Sequence, residues 1–253
     1  MEKISAQGTV PAPLWSRLRA SAVHLYTASG VVLTLLIVVA AYGGHAVGAL
    51  WLGLVALVVD STDGLLARRF RVKELLPFFD GQRLDDIVDY MTYALAPILL
   101  LWTAGYLPQG AYGVAMAALP LLASSYQFCR VDAKTGDDAE TDHFFLGFPS
   151  YWNVLAFYAI VFNLSVGAVG AILVACSVLV FVPVHYVYPS RTRAFRKLTL
   201  ALTTLWLLSC VTMLVEMPDP NPILRAVSLL YILYYFALSL YLSSKTTKIV
   251  RIW

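Results

Sequence analysis

Charged residues are scarce in this sequence of 253 residues. Asp, Glu, Lys and Arg together make up 13% of it, about half the share found in soluble globular domains, while 60% of the residues are hydrophobic. The apolar residues occur in blocks of roughly 17–25, which is the length that a helix needs to cross a bilayer. The composition therefore excludes an ordinary water-soluble domain and predicts a membrane protein.

Cysteine is also rare, and its distribution argues against two kinds of site. Cys129, Cys176 and Cys210 are widely spaced and form no CxxC pair, so neither a zinc site nor a redox pair is expected. Buried thiols acting as small apolar side chains are the better interpretation. Residues 1–20 lack a continuous apolar stretch, and no secretory signal peptide is predicted.

The apolar blocks predict an all-α polytopic membrane helix bundle with about eight transmembrane helices, forming one domain over residues 1–253. The predicted spans are 24–42, 45–61, 85–104, 110–129, 150–166, 168–188, 198–216 and 223–243. Before them, residues 13–19 mix apolar and basic side chains. This stretch predicts a short N-terminal helix on the membrane surface, with an irregular leader as the alternative.

Lys and Arg concentrate on one side of this topology. Both termini and the loops after the second, fourth and sixth spans carry the basic residues, whereas only Arg225 lies towards the opposite side. By the positive-inside rule, both termini and these loops are predicted to be cytoplasmic. An odd number of helices would scatter the charges to both faces, so the asymmetry favours an even number.

Two pairs of aspartates flank the loop between the second and third predicted spans. Asp60 and Asp63 are three residues apart and Asp85 and Asp89 are four apart, so each pair shares one helix face. Two antiparallel helices would bring both pairs to the same depth, where four carboxylates repel each other unless cations lie between them. Oxygen ligands suit Mg²⁺ or Mn²⁺ better than zinc. The pattern predicts a site for one or two such ions.

Single members of this acidic region have simpler interpretations. Asp85 or Asp86 alone could cap the third helix, because a carboxylate is favourable at a helix N-terminus. Asp80 beside Gly81 is typical of a turn. These interpretations explain individual residues but not two matched pairs.

Small residues and an arginine follow the first acidic pair. Gly64 and Ala67 permit the close approach of a helix or a bulky ligand. Arg68, one turn after Gly64, can bind phosphate oxygens with both arms of its guanidinium. Together with metal ions, these residues predict a diphosphate site and phosphoryl transfer.

The motif Asp-x-x-Asp-Gly-x-x-Ala-Arg, followed by Gly-x-x-x-Asp-x-x-x-Asp, resembles the signature of the CDP-alcohol phosphotransferase family. Its positions here are Asp60, Asp63, Gly64, Ala67, Arg68, Gly81, Asp85 and Asp89. Twelve residues separate Arg68 from Gly81, which is longer than is usual in that family. This longer loop and the later segments 126–129 and 142–153 are similar to the bacterial phosphatidylcholine synthase branch.

The resemblance implies a donor, an acceptor and a role for each motif residue. CDP-diacylglycerol would be the lipid donor and choline the acceptor, and CMP would be released. The four motif aspartates would bind two divalent metal ions, either Mn²⁺ or Mg²⁺. Asp89 would also be the general base. Gly64, Ala67, Arg68 and Gly81 would bind the nucleotide diphosphate. The resemblance further implies a bacterial inner membrane location, an active site at the cytoplasmic face and a homodimer.

Choline carries a quaternary ammonium, so its recognition should depend on aromatic faces. Aromatic side chains predicted near the cytoplasmic face are Tyr90, Tyr93, Tyr126, Tyr151, Trp152, Tyr186 and Tyr188. From these we select Tyr151 and Trp152, in the branch-like segment, together with Tyr126. Aromatic residues at this height are also ordinary membrane-interface anchors, and that alternative remains open for each.

Arg191 and Arg193 follow the sixth predicted span and could bind a lipid phosphate. The alternative is that they serve only topology and attraction to anionic headgroups.

Two other functions fit parts of the pattern. A CDP-alcohol phosphotransferase could use serine, glycerol phosphate or inositol phosphate as acceptor, and phosphorylated acceptors would require extra basic residues near the aspartates. A divalent-cation transporter would instead place its carboxylates along a path through the bilayer. The four aspartates are predicted to cluster near one face, which favours chemistry at the interface.

Overall fold

The computed structural model of the chain describes residues 13–133 and 142–246, and helices make up most of them. The helices are α1 (Leu14–Tyr42), α2 (Ala46–Arg69), α3 (Val72–Leu75), α4 (Gly81–Asp89), α5 (Ala96–Thr103), α6 (Ala111–Cys129), α7 (Trp152–Val161), α8 (Val166–Phe181), α9 (Arg196–Val215) and α10 (Pro222–Thr246). A π-helical segment, Tyr90–Leu95, joins α4 to α5 without a break. The predicted helical fold is confirmed, with one small sheet added to it.

Four helices within the described residues are long and apolar enough to cross a membrane: α1, α2, α9 and α10. Helices α7 and α8 are apolar but shorter. The protein is therefore a multi-pass membrane protein. The number of eight spans and the cytoplasmic orientation of both termini stay predictions. Four of the basic residues behind that orientation lie outside the described residues: Lys3, Lys134, Lys248 and Arg251.

The predicted N-terminal surface helix is not a separate element. Helix α1 begins at Leu14, directly after its N-cap Pro13, and continues through residue 19 into the first apolar block, for 29 residues in all. At 1.5 Å per residue such a helix is about 44 Å long, which exceeds a hydrocarbon core of about 30 Å. Its surplus length includes Trp15, 63% exposed, with the guanidinium of Arg19 5.2 Å from the indole centroid. The aromatic and basic residues thus form the first turns of α1.

The fifth and sixth predicted spans are too long. Helix α7 has 10 residues and α8 has 16, so they are about 15 Å and 24 Å long. Helix α7 ends before Asn163, which adopts a positive φ of 47°. Helix α8 ends before Val182, whose extended backbone is the conformation favoured by a residue that precedes proline, here Pro183.

Residues that follow α8 form a strand rather than helix. Strand β2 (His185–Val187) pairs antiparallel with β1 (Phe144–Leu146), with Phe145 opposite Tyr186. The backbone N–H groups of His185 and Val187 donate to the hydroxyls of two α10 serines, Ser243 and Ser239, each at 3.1 Å. Extended backbone needs such partners in apolar surroundings, and α10 supplies them.

The segment between α2 and α4 folds back onto α1. The side chains of Val72 and Leu76, in and just after α3, are buried in one cluster with Ala20 and Val23 of α1. The unusually long spacing between Arg68 and Gly81 therefore corresponds to an ordered segment that contains α3.

Helix α1 also contacts α2 and α4 directly. A Cβ at Gly30 of α1 would lie 2.4 Å from Cγ1 of Val88, so only glycine permits this approach between α1 and α4. The Thr62 hydroxyl on α2 is 2.8 Å from the hydroxyl of Tyr26 on α1. These contacts hold the C-terminal parts of α2 and α4 against α1.

Candidate active site

Three of the four predicted metal-binding aspartates meet between α2 and α4. One carboxylate oxygen each from Asp60, Asp85 and Asp89 lies within 4.8 Å of the other two. All three residues are half-buried. The i, i+4 spacing on α4 brings Asp85 and Asp89 to one face, and α2 supplies Asp60 opposite them.

Asp63 lies one turn further along α2, in a different environment. It is buried, with 7% exposure, and its Oδ2 accepts a hydrogen bond of 2.8 Å from the Thr27 hydroxyl on α1. The structure therefore directs Asp63 towards α1, outside the group of three oxygens. Its role as a fourth metal ligand stays a prediction.

The Asp60 carboxylate has a partner from the π-helical segment. The Tyr93 hydroxyl donates a hydrogen bond of 2.6 Å to its Oδ2, and the Tyr93 side chain is buried. The contact thus joins α2 to the turn that follows Asp89.

The group of three carboxylates fits a divalent metal ion. Its ligand atoms are all oxygens, which hard cations such as Mg²⁺ prefer. With metal–oxygen distances of about 2.1 Å, two oxygens on opposite sides of one ion lie about 4.2 Å apart. The oxygen–oxygen distances of up to 4.8 Å seen here would therefore need to shorten only slightly to hold an ion. Three negative charges this close would otherwise repel each other.

The four predicted nucleotide-binding residues lie in two kinds of surroundings. Among the described residues, a Cβ at Gly64 would meet only the Arg68 guanidinium, with Nη1 at 3.4 Å, and Arg68 is exposed. This side of α2 is therefore open to a ligand. Ala67, in contrast, packs against the cluster that joins α1 and α3.

Gly81 has a structural reason for its small size. A Cβ on it would lie 2.7 Å from Cε1 of His24, whose ring contacts that of Phe79 with centroids 4.2 Å apart. Asp80 caps α4 by accepting a hydrogen bond of 3.0 Å from the Arg83 backbone N–H, as expected for a turn residue beside a helix start.

The three aromatic residues selected for choline lie in different places. Trp152 is fully buried and its indole N–H donates to the Ser124 hydroxyl at 2.6 Å, which leaves no exposed ring face for a ligand. Tyr126 is 49% exposed and packs against Phe181, with the Arg130 guanidinium over its ring. It has the surroundings of a membrane-interface aromatic.

Tyr151 lies at the centre of an aromatic group near Asp60. Its ring centroid is 6.4 Å from that of Tyr93, 6.3 Å from Phe145 and 6.1 Å from Tyr235. Phe145 in turn stacks on Tyr188 at 4.4 Å. We call these five residues the Tyr151 aromatic group.

Sequence reasoning missed two members of this group. Phe145 belongs to the branch-like segment 142–153, which was a usable signal, but it was not selected as an aromatic contact. Tyr235 lies in the middle of α10, and no sequence motif around it indicates a functional role. Only the packing of α10 against β2 brings it to Tyr151.

The two predicted lipid-phosphate arginines differ in their contacts. The Arg191 guanidinium lies 5.3 Å from the ring centroid of Tyr188, next to the Tyr151 aromatic group. The backbone N–H of Arg193 donates to Oδ1 of Asp142 at 2.7 Å, and that of Ala194 to Oδ2 at 3.3 Å. Asp142 therefore tethers the loop that carries both arginines to the chain before β1.

The fold and the site together define an integral membrane protein with a group of three carboxylates between two of its helices, close enough together that they could hold a metal ion. The sequence profile of the CDP-alcohol phosphatidyltransferase family matches residues 22–183. The chain belongs to this family.

Similar proteins extend this finding over most of the chain. A phosphatidylcholine synthase of Legionella bozemanae is 40% identical over 207 residues, covering 79% of this chain and 93% of the relative. One from Legionella pneumophila is 40% identical over 226 residues, covering 87% and 86%. One from Borreliella burgdorferi is 34% identical over 229 residues, covering 88% and 94%. The predicted family is thus confirmed, and a transferase is favoured over a cation transporter.

Proposed function

We propose that the protein transfers the phosphatidyl group of CDP-diacylglycerol to choline and releases CMP. The grouping of Asp60, Asp85 and Asp89 between α2 and α4 is the observation that carries this proposal. The family membership supports the reaction class, and the name of the similar proteins supports choline as the acceptor.

Asp60, Asp85 and Asp89 would hold the metal, and Asp63 would join them as a fourth ligand, as the family resemblance implies. We propose Mn²⁺ or Mg²⁺, two ions in number. When bound, such ions neutralise phosphate charge and stabilise the leaving CMP. The aspartates thereby place the substrate diphosphate between α2 and α4.

Asp89 is the proposed general base. A carboxylate has two oxygens, so one can bind metal while the other accepts the proton of the choline hydroxyl. The choline oxygen then forms a bond to the phosphorus that bears the diacylglycerol, and the bond from that phosphorus to the CMP oxygen breaks. CMP leaves with the electron pair, and the proton remains on Asp89 until solvent removes it.

Arg68 and Gly64 are the proposed nucleotide contacts with the strongest support. Arg68 is exposed beside Gly64, one turn from the acidic residues, where its guanidinium can bind diphosphate oxygens. Ala67 and Gly81 would act through packing, because their surroundings are the α1–α3 cluster and His24.

The Tyr151 aromatic group is the proposed choline site. The face of an aromatic ring attracts a quaternary ammonium, and the half-buried members of the group are Phe145, Tyr151 and Tyr188. Through Tyr93 the group contacts the Asp60 carboxylate, which places the proposed choline site next to the proposed metal site. Arg191 lies over Tyr188, and it and Arg193 would bind the phosphate of a lipid at the edge of this group.

The proposed location is the bacterial inner membrane, with the active site at the cytoplasmic face. The loop between α2 and α4 and the helix ends beside it carry the basic residues Arg68, Arg69, Arg71 and Arg83. The positive-inside rule predicts such an excess of basic residues for a cytoplasmic loop. One membrane domain over the whole chain and a homodimer remain further parts of the proposal.

The test is CMP release from CDP-diacylglycerol by the purified protein with Mn²⁺ or Mg²⁺. We expect release to depend on choline and to yield phosphatidylcholine. Serine, glycerol 3-phosphate and inositol phosphate, each added alone, are the comparison acceptors. Turnover with one of these and none with choline would reject the acceptor but keep the reaction class. No CMP release with any alcohol would reject the transferase itself.

A further inference from the structure

The hydrogen bond from Tyr93 to Asp60 lies inside the protein, beside the three carboxylates. The Tyr93 side chain is 8% exposed, and its hydroxyl is 2.6 Å from Oδ2 of Asp60. A phenol that donates to a carboxylate makes a charge-assisted bond, which is shorter and stronger than a neutral one. Tyr93 therefore restricts the directions in which the Asp60 oxygens can point.

The backbone explains how Tyr93 reaches α2. Residues Tyr90–Leu95 form a π-helical segment that begins directly after Asp89. A π-helical turn closes with bonds to the carbonyl five residues back, so it holds one more residue than an α-helical turn. Residue 93 is consequently shifted around the helix relative to an ordinary i+4 neighbour of Asp89, and its hydroxyl meets Asp60. Single π-helical turns are frequent at functional sites.

Repulsion between the carboxylates explains why Asp60 needs the hydrogen bond from Tyr93. Asp60 faces two other carboxylates, and repulsion would turn its side chain away in the absence of a donor. Hydrogen bonds from outside the ligand set orient metal ligands, and their loss weakens metal binding. We infer that Tyr93 is a positioning residue for metal binding, which holds the Asp60 carboxylate towards Asp85 and Asp89.

This inference rests on the proposed metal site but not on the acceptor. A second consequence concerns choline, because the Tyr93 ring also contacts Tyr151. The same side chain thus joins the metal site to the proposed choline site, so that its hydroxyl serves the metal and its ring serves the acceptor.

The test removes the donor without changing the size of the side chain. Position 93 is replaced by 4-methylphenylalanine, which cannot donate, or by 4-aminophenylalanine, which can, using suppression of a stop codon. Mn²⁺ binding to each purified protein is followed by the electron paramagnetic resonance signal of free Mn²⁺, without nucleotide or choline. The methyl variant should bind Mn²⁺ about 10- to 100-fold more weakly than the unmodified protein, and the amino variant should restore binding.

Tyr158→Phe is the matched control for losing a buried tyrosine hydroxyl. The Tyr158 hydroxyl donates to Ser228 at 3.1 Å and accepts from the Trp206 indole N–H at 2.8 Å, in the contacts between α7, α9 and α10. Its loss should leave Mn²⁺ binding unchanged. Equal Mn²⁺ affinity in the methyl and amino variants, or an equal loss in Tyr158→Phe, would overturn the inference. Failure of the unmodified protein to bind Mn²⁺ would overturn the proposed metal site as well. Failure to use choline as the acceptor would contradict neither the metal site nor the role of Tyr93.

Discussion

The Thr27 hydroxyl on α1 donates a 2.8 Å hydrogen bond to the buried carboxylate of Asp63 on α2. This bond joins two helices that already pack closely, and it gives the Asp63 charge a partner in a place that water hardly reaches. It also places Asp63 outside the group formed by the other three motif aspartates.

Thr27→Val should therefore destabilise the protein, because valine has the shape of threonine but leaves the carboxylate without this donor. The expected loss is about 1.5–3 kcal/mol, typical of hydrogen bonds to charged groups. Thermal unfolding in detergent, followed by circular dichroism, measures it as a lowered midpoint. Thr27→Ser keeps the hydroxyl and is the control. A midpoint for the valine variant equal to that of the serine variant would mean that the bond contributes nothing.

Asp89→Asn should abolish turnover without unfolding the protein. The amide keeps the size of the side chain but cannot accept the choline proton, and general bases contribute about 10²- to 10⁴-fold to rates. CMP release should fall by at least about 100-fold. Asp86→Asn is the matched control, because it removes a half-buried carboxylate from the same helix that is outside the group of three. A normal rate in Asp89→Asn would remove Asp89 from the mechanism.

The helices and the acidic site were accessible to sequence reasoning because their signals are local. Apolar blocks indicate membrane helices wherever they lie, and spacings of three and four residues place Asp60, Asp63, Asp85 and Asp89 on helix faces. The structure then separates Asp63 from the other three. That difference depends on Thr27, which is 36 residues away in the sequence and becomes a partner only through the packing of α1.

Other features depend on contacts that no local pattern records. The apolar stretch 182–188 has the composition of a helix end, yet it pairs with β1 and its backbone donates hydrogen bonds to α10 serines. Tyr93, which donates to Asp60, lies in a π-helical turn whose residues do not differ in composition from those of an α-helical segment. Tyr235 joins the aromatic group only because α10 packs against β2.

Gly81→Ala should destabilise the start of α4. The added Cβ would lie 2.7 Å from Cε1 of His24, so the imidazole or the helix must move. Overpacking of this kind costs about 1–3 kcal/mol. Gly53→Ala on α2 is the control, because a Cβ there meets no described heavy atom within 4 Å.

A double variant separates this clash from nucleotide binding at Gly81. In a His24→Ala background the obstacle to the Cβ is gone, so Gly81→Ala should cost less stability than in the unmodified protein. The thermal midpoints of both single variants and the double variant give the coupling. Additive changes would show that His24 is not the cause, and loss of CDP-diacylglycerol binding with unchanged stability would assign Gly81 to the nucleotide.

Tyr151→Leu should raise the KM for choline and leave the KM for CDP-diacylglycerol near its original value. Leucine keeps apolar bulk but lacks the ring face that attracts an ammonium, an interaction of about 2 kcal/mol where water is excluded. The KM should rise about tenfold or more, since 1.4 kcal/mol corresponds to a factor of ten. Tyr151→Phe keeps the face and should change it little. Tyr126→Leu, on the exposed side of α6, is the control; a larger effect there than at Tyr151 would move the choline site to α6.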